Sequence, residues 1–108
     1  MKILVTGGAG FVGSTTITDD SSNTDATITS FDNYFTGSEA NHIEGVEYIQ
    51  GSTWRIDQLP KQDVVYHFGE YSRVVPSFKD VEYLMTSNLW GTSRVIEQCR
   101  KWNAKLIY

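Results

Sequence analysis

Glycine recurs at every third residue near the start of the chain, in the segment Thr6-Gly7-Gly8-Ala9-Gly10-Phe11-Val12-Gly13. The segment directly follows the apolar run Ile3-Leu4-Val5, so it stands where a buried strand would turn into a helix. Glycine there permits a tight turn, close approach of the backbone to a phosphate, and close packing of helix on strand. The first N–H groups of such a helix favour an anion. We therefore predict a pyrophosphate-binding turn formed by Gly7, Gly10, Phe11, Val12 and Gly13.

An acidic residue, Asp32, lies nineteen residues after Gly13, at the predicted end of the second strand. A carboxylate there can accept hydrogen bonds from both hydroxyls of an adenosine ribose, and it would repel a 2′-phosphate. Together with the glycine turn, this residue favours NAD over NADP as the cofactor. Two alternatives stay open: Asp32-Asn33 as an ordinary strand-end turn, and an S-adenosylmethionine site, which also uses a glycine turn and an acidic strand end. A P-loop is excluded, because no Gly-Lys-Ser/Thr follows the glycines.

Short apolar and β-branched runs alternate with longer connections along the chain, which is typical of a parallel sheet built from βαβ units. The predicted strands are residues 3–5, 26–31, 45–50, 63–68 and 105–108. We predict an α/β, Rossmann-type fold with helices on both faces and the spatial strand order 3-2-1-4-5, since crossovers are right-handed. One domain, residues 1–108, is expected.

Two helices are predicted, one from a regular apolar pattern and one from a segment with a single large apolar residue. Apolar residues at spacings of three and four predict a helix over residues 79–102, with a capping pattern at Ser77 and Asp80. Its inner stripe is predicted to contain Val81, Leu84, Met85, Asn88, Leu89, Thr92, Val95, Ile96 and Cys99. The segment 14–25 has Ile17 as its only large apolar residue, so we expect at best a short, loosely packed helix there.

Composition limits the binding partners and the cellular compartment that we expect for this chain. The net charge of −4 argues against wholesale binding to nucleic acid or to an anionic membrane, because both need a basic face. We find no signal peptide and no apolar stretch near the ~20 residues that span a bilayer. Cys99 is the single cysteine, which suits a reducing cytoplasm. Trp90 and Trp102, if exposed beside the long helix, would offer a surface for a homodimer.

Four motifs in order resemble the extended short-chain dehydrogenases, and among them the NAD-dependent sugar-nucleotide epimerases and dehydratases of the UDP-glucose 4-epimerase type. The glycine segment is similar to that family's nucleotide turn, spaced Gly-x-x-Gly-x-x-Gly. Asp32-Asn33-Tyr34-Phe35-Thr36-Gly37 resembles the stretch after its second strand. Asp63-Val64-Val65-Tyr66-His67-Phe68-Gly69 resembles its fourth strand, and Asn88-Leu89-Trp90-Gly91-Thr92 resembles its Asn-x-x-Gly-Thr helix motif.

The resemblance implies roles for further residues in a site for NAD. Asn33 and Tyr34 would join Asp32 at the ribose, and Phe68, Gly69 and Asn88 would lie near the nicotinamide half. Ser72 and Arg73 would lie near the sugar or a cofactor phosphate. The family usually has an aspartate after the third strand, facing the adenine; this chain has Gly51-Ser52-Thr53 there, so Ser52 and Thr53 would make a weaker contact.

The resemblance also implies a reaction in which hydride passes between a nucleotide-sugar substrate and NAD. That reaction needs a Tyr-x-x-x-Lys pair, and no tyrosine of the chain has a lysine four residues later. We therefore expect a cofactor half without catalytic residues and no turnover by the 108-residue chain. A non-catalytic NAD-binding or redox-sensing module, or an inactive truncated fragment, is the alternative. His67, in a buried strand, is interpreted as a hydrogen-bonded core residue rather than an acid or base.

Overall fold

The structure, a computed structural model, describes residues 1–20, 26–34, 37–69 and 85–108. Within these ranges a five-stranded parallel sheet forms the centre of the molecule. Its strands are β1 (Lys2–Thr6), β2 (Thr27–Asp32), β3 (Glu47–Gln50), β4 (Val64–His67) and β5 (Lys105–Ile107). Each predicted strand is present.

The strand order is β3-β2-β1-β4-β5, as predicted. The chain runs outward from β1 to one edge and then returns to build the other half, so the order reverses between β1 and β4. Thr6, the last residue of β1, pairs with Phe31 of β2 on one side and with His67 of β4 on the other. The carboxyl ends of the three central strands therefore lie side by side.

Side chains alternate along β1, so this strand contributes to a hydrophobic layer on each face of the sheet. Leu4 belongs to the larger cluster, which contains Leu4, Phe31, Ile56, Val65, Val95, Cys99 and Trp102. Ile3 and Val5 belong to the second cluster, with Ile17 and Ile28. A strand buried on both faces reads as a continuous apolar run, and this is why residues 3–5 could be assigned from sequence.

A helix, α1 (Phe11–Asp20), follows the glycine turn and begins three residues before the predicted segment. Ile17 is fully buried, whereas Phe11 and Val12 are exposed, so one large apolar side chain anchors the helix to the sheet. The Thr15 and Thr18 hydroxyls donate to the carbonyls of Phe11 and Ser14, respectively, at 2.9 Å. The prediction of a short helix is confirmed over residues 14–20, and residues 21–25 lie outside the described ranges.

The C-terminal helical region has two parts: a π-helical segment over Met85–Gly91 and an α-helix, α2 (Thr92–Trp102). The helix ends at Asn103, whose left-handed conformation (φ 55°) closes the last turn. Residues 79–84, predicted as the start of this helix, lie outside the described residues, as do Ser77 and Asp80.

The face that α2 turns to the sheet differs in part from the predicted stripe. Val95, Cys99 and Trp102 are buried, and α2 packs them on the side of the sheet opposite Ile17. Leu89 and Ile96 were predicted to be inside, but they are 52% and 46% exposed, which corrects that prediction. Ile96 follows Val95 directly, so it is turned by about 100° from the buried face.

The two tryptophans of this region differ in exposure. Trp90 is 52% exposed, as expected for a surface residue. Trp102 is only 7% exposed, so the expectation of an exposed Trp102 is wrong. The reason is its position seven residues after Val95, which brings its ring onto the same helix face and into the core. No helix among the described residues is long and apolar enough to cross a bilayer.

Two short 3₁₀ segments were not predicted. One, Glu39–Asn41, lies between β2 and β3, and the other, Thr53–Gln58, follows β3. Ile56 of the second segment is 1% exposed and packs in the larger cluster. The guanidinium of Arg94 on α2 lies 4.9 Å from the centroid of Trp54, a cation–π contact that ties the same segment to the helix.

Candidate cofactor site

The glycine turn has almost no room for larger residues at three of its positions, Gly7, Gly8 and Gly13. Gly7 has φ +73°, and a side chain there would meet the Phe68 carbonyl carbon at 2.9 Å. A Cβ on Gly13 would overlap the Gly7 carbonyl. The turn is closed by hydrogen bonds from Gly10 N to Gly7 O (3.1 Å) and from Ser14 N to Gly10 O (3.0 Å). Glycine at positions 7 and 13 is therefore required by the close packing of strand, turn and helix.

The first turn of α1 can receive an anion. The bond from Ser14 N to Gly10 O is the first of the helical series, so the N–H groups of Phe11, Val12 and Gly13 have no acceptor within the helix. Phe11 is 84% exposed and Val12 is 55% exposed, which places this end of the helix at the surface. Backbone donors at a helix N-terminus are suited to a phosphate group.

Asp32 lies at the end of β2 and is joined to the glycine turn. Its side chain is 7% exposed. Oδ2 accepts a hydrogen bond from Ala9 N at 3.0 Å, and Oδ1 accepts one from Tyr34 N at 2.7 Å. A carboxylate offers about four acceptor positions, so both oxygens keep capacity for ribose hydroxyls. Gly37 packs on this group, since a Cβ there would approach Oδ2 to 2.9 Å.

A loop after β2 covers the glycine turn, which the sequence had not indicated. The Asn41 side-chain amide donates to the Ala9 carbonyl at 2.7 Å, and Ser38 N donates to the same oxygen at 3.1 Å. Ala9 therefore has its N–H bound by Asp32 and its carbonyl bound by this loop. A lone asparagine in a polar loop carries no signal for such a contact in the sequence.

Tyr34 begins an aromatic cluster beside Asp32. Its backbone is left-handed (φ 62°), which is uncommon for a bulky residue. Its hydroxyl lies 2.6 Å from His42 Nε2, and the His42 ring stacks on Tyr48 with centroids 3.8 Å apart. Burial raises the pKa of Tyr34 above its ordinary value, and the charges of Asp32 and Glu39 add to this effect. Asn33, between Asp32 and Tyr34, is exposed.

On the other side of β1, a second group of contacts joins β1 to β4. Thr6 Oγ1 accepts hydrogen bonds from the N–H groups of Phe68 and Gly69, each at 3.1 Å. His67 is 2% exposed, with Nδ1 at 2.6 Å from Thr6 Oγ1 and Nε2 at 2.9 Å from Thr92 Oγ1. The interpretation of His67 as a buried, hydrogen-bonded histidine is confirmed.

The remaining predicted site residues follow β3, belong to the C-terminal helical region, or lie outside the described residues. Ser52 and Thr53 follow β3; the Ser52 hydroxyl accepts from Trp54 N at 3.3 Å as a helix cap, and Thr53 is buried. Asn88 is half-buried in the π-helical segment, four residues before Thr92. Ser72 and Arg73 lie outside the described residues.

A parallel sheet with a glycine turn after its first strand and a buried carboxylate after its second defines the class of dinucleotide-binding α/β domains. The family model for the NAD dependent epimerase/dehydratase family matches residues 3–108, and the chain belongs to that family. The predicted family relationship and fold are thereby confirmed.

Individual relatives support the same assignment. The chain is 30% identical over 120 residues to dTDP-glucose 4,6-dehydratase of Salmonella typhimurium, an alignment that covers 96% of this chain and 32% of the relative. It is similar to Thermus thermophilus UDP-glucose 4-epimerase, solved in complex with NAD (29% identity, TM-score 0.88), over 100% of this chain and 37% of that one. It is also similar to Thermotoga maritima UDP-glucose 4-epimerase, solved with UDP-glucose (26% identity, TM-score 0.87), over 96% and 35%. The chain thus spans about a third of the length of these proteins.

Proposed function

We propose that residues 1–108 form the NAD-binding domain of a nucleotide-sugar epimerase or dehydratase. The observation that carries this proposal is the position of Asp32, which is held against the glycine turn by the hydrogen bond from Ala9 N to Oδ2 (3.0 Å). A buried carboxylate beside the first turn of a helix provides acceptors for ribose next to donors for a phosphate. These are the two polar groups of the adenosine half of NAD.

The pyrophosphate would lie over the first turn of α1. Gly7, Gly10, Phe11, Val12 and Gly13 would face it with backbone atoms. Gly13 lets the helix start close enough to Gly7 for this approach, because a Cβ there would overlap the Gly7 carbonyl. The helix N-terminus adds a partial positive charge, which is favourable for an anion at this place.

Asp32 would accept the adenosine ribose hydroxyls, with Asn33 and Tyr34 beside it. Its negative charge and its 7% exposure both disfavour a 2′-phosphate, which would bring a second anion against a carboxylate with little access to water. Ser52 and Thr53 are proposed for the adenine. The Ser52 hydroxyl already caps the following 3₁₀ segment, which agrees with a weak contact.

The nicotinamide half would lie on the β4 side, where Phe68 and Gly69 follow the strand and Asn88 approaches from the helical region. When bound, NAD supplies a hydride acceptor. The chain's own part is to hold it, since the Tyr-x-x-x-Lys pair expected of a catalytic half does not occur in the 108 residues. We therefore propose that this chain binds NAD without turning over a nucleotide sugar, an isomerase or lyase reaction that belongs to a longer protein.

Two further proposals concern the cellular compartment and the association of two copies. The single cysteine suits a reducing cytoplasm as the compartment. Trp90, 52% exposed next to the equally exposed Leu89, suits a contact between two copies. Sedimentation velocity of the wild type and of Trp90→Lys checks the second point: a dimer that the substitution dissociates supports it, and a wild-type monomer at high concentration contradicts it.

Titration with NAD by calorimetry tests the main proposal. We expect saturable binding by the wild type and weaker binding of NADP. Asp32→Asn, which keeps the shape and removes the charge, should weaken NAD binding by about tenfold or more, because hydrogen bonds to a charged group contribute roughly 1.5–3 kcal/mol. Glu44→Gln, an exposed acidic residue, is the matched control and should stay within twofold.

Two results would contradict the proposal. A folded wild-type chain with no saturable binding of NAD would exclude the function. An Asp32→Ala variant that keeps NAD affinity within twofold would show that the ribose assignment is wrong, even if NAD binds elsewhere.

A further inference from the structure

His67 connects the central strand of the sheet to the C-terminal helix through two hydroxyls. Its Nδ1 lies 2.6 Å from the hydroxyl of Thr6, and its Nε2 lies 2.9 Å from that of Thr92. The ring is 2% exposed, so it has little access to a substrate or to solvent. It is therefore placed to hold other groups rather than to exchange protons with a ligand.

Counting donors and acceptors favours one tautomer of this ring. A threonine hydroxyl has one donor and two acceptor positions. Thr6 Oγ1 accepts from the N–H groups of Phe68 and Gly69, each at 3.1 Å, and the Phe68 N–H also donates to the Thr6 carbonyl oxygen at 3.1 Å. This arrangement favours the Thr6 hydroxyl as the donor to His67 Nδ1. The expected state is a neutral ring with its hydrogen on Nε2, which donates to Thr92 Oγ1.

The two ends of this chain of hydrogen bonds lie at two separate elements, both on the nicotinamide side of the proposed site. Thr6 holds the backbone of Phe68 and Gly69. This backbone packs directly on the glycine turn: a Cβ added to Gly7 would lie 2.9 Å from the Phe68 carbonyl carbon. Thr92 begins α2, four residues after Asn88. The imidazole thus sets the distance between the backbone after β4 and the helix that carries Asn88.

We propose that His67, acting through Thr92, is a positioning residue that sets the nicotinamide side of the cofactor site without touching the cofactor. This inference rests on the proposed binding of NAD. It goes beyond that function because it assigns a task to a residue that the site residues do not include. It also predicts that the task concerns one half of the cofactor only.

The selectivity follows from the strand order. The sheet places β2, with Asp32 at its end, on one side of β1, and it places β4, with His67 at its end, on the other. Asp32 is held by Ala9 N and Tyr34 N, and neither bond involves β4 or α2. Loss of the bond between His67 and Thr92 should therefore leave the adenosine half in place while it loosens the nicotinamide side.

Titrations of NAD and of AMP, which represents the adenosine half alone, test this inference in the 108-residue chain. Thr92→Val replaces the hydroxyl by a methyl group of similar size, and we expect NAD binding to weaken about three- to tenfold, the usual effect of one hydrogen bond. AMP binding should stay within twofold. Thr92→Ser should restore NAD affinity, and Ser93→Ala, at the exposed neighbouring hydroxyl, is the matched control.

Each alternative outcome has one meaning. Equal losses for NAD and AMP in Thr92→Val would overturn the positioning role and indicate a general loss of structure. Unchanged NAD affinity would overturn it as well. If the wild-type chain bound AMP and NAD equally well, the nicotinamide side would contribute no binding affinity, and the positioning role would be overturned. A folded wild type that binds neither nucleotide would instead remove the proposed function, and this inference with it.

A second measurement needs no variant and no cofactor. The nitrogen NMR shifts of the His67 ring report which nitrogen carries the hydrogen. We expect the neutral form with its hydrogen on Nε2 in the wild type, and a loss of that signature in Thr6→Val, where the donor to Nδ1 is gone. A ring protonated on Nδ1 at neutral pH would contradict the hydrogen-bond assignment and overturn the inference, even if Thr92→Val fails to fold.

Discussion

Ala9 and Asp32 hold the glycine turn and the end of the second strand together, through a hydrogen bond of 3.0 Å from Ala9 N to Asp32 Oδ2. The residues are 23 positions apart in the chain, and the bond is buried. The Ala9 carbonyl is bound in turn by Asn41 Nδ2 at 2.7 Å. Asp32 and the glycine turn, the proposed ribose and phosphate contacts, are therefore one fixed unit, and Asn41, which is not among the predicted site residues, helps to fix it.

Asn41→Ala should loosen this unit. The substitution removes the side-chain donor to Ala9 O and leaves the bond from Ser38 N in place, so we expect a loss of about 1 kcal/mol in the free energy of unfolding. NAD affinity should fall severalfold because the turn is less well fixed. Urea unfolding and calorimetric titration measure the two effects. Glu39→Ala, an exposed residue of the same 3₁₀ turn, is the control, and an equal effect there would refute the role of Asn41.

Gly13→Ala and Gly45→Ala separate steric from conformational demands on glycine. A Cβ on Gly13 would overlap the Gly7 carbonyl, so we expect a loss of roughly 1–3 kcal/mol or more and no measurable NAD binding. Gly45 has φ +87° and nothing within 4 Å of an added Cβ, so the cost there is about 1–2 kcal/mol of backbone strain. Gly45→Ala should bind NAD normally. Normal NAD affinity in Gly13→Ala would contradict the site.

The glycine turn and Asp32 could be predicted because each is signalled by its immediate neighbours. A buried apolar run precedes the glycines, and a β-branched run precedes Asp32, so both fall at strand ends and must share one edge of a parallel sheet. The strand order then follows from right-handed crossovers. No contact between distant residues has to be known for this step.

The contacts of Asn41 and His67 could not be predicted, because they join residues far apart in the chain. Asn41 reaches Ala9 across 32 positions, and His67 reaches Thr92 across 25. Neither residue type indicates such a partner by itself. The error at Ile96 has another cause: apolar residues at spacings of three and four describe a broad face, and only packing decides that Val95 enters the core while Ile96 does not.

Ser30→Ala should stabilise the protein. The Ser30 side chain is fully buried in β2, and its hydroxyl has no hydrogen-bond partner among the residues that the structure describes. Removal of an unsatisfied buried hydroxyl should raise the free energy of unfolding by about 1 kcal/mol. The midpoint of urea unfolding measures this. Ser30→Val is the contrasting variant: it should destabilise, because Ser30 packs so closely on Gly8 that a Cβ on Gly8 would lie 2.7 Å from the Ser30 Cβ. A lower midpoint in Ser30→Ala would show that the hydroxyl is satisfied.

The single cysteine should be unreactive in the folded protein. Cys99 is 4% exposed and packs in the larger cluster, and burial raises the pKa of its thiol above the ordinary value of 9.0. Because the thiolate is the reactive form, alkylation by iodoacetamide at pH 8 should be far slower in the native state than in urea.

The same raised pKa predicts the sign of a pH effect on stability. The unfolded chain releases the Cys99 proton at a lower pH than the folded protein does, so the stabilising contribution is complete below pH 9.0 and is lost as the pH rises beyond it. Urea midpoints of wild type and Cys99→Ala between pH 7 and pH 10 test this, since the fall above pH 9 should be smaller in the variant. Rapid native alkylation at pH 8, at a rate close to that in urea, would place the thiol outside the core and contradict both expectations.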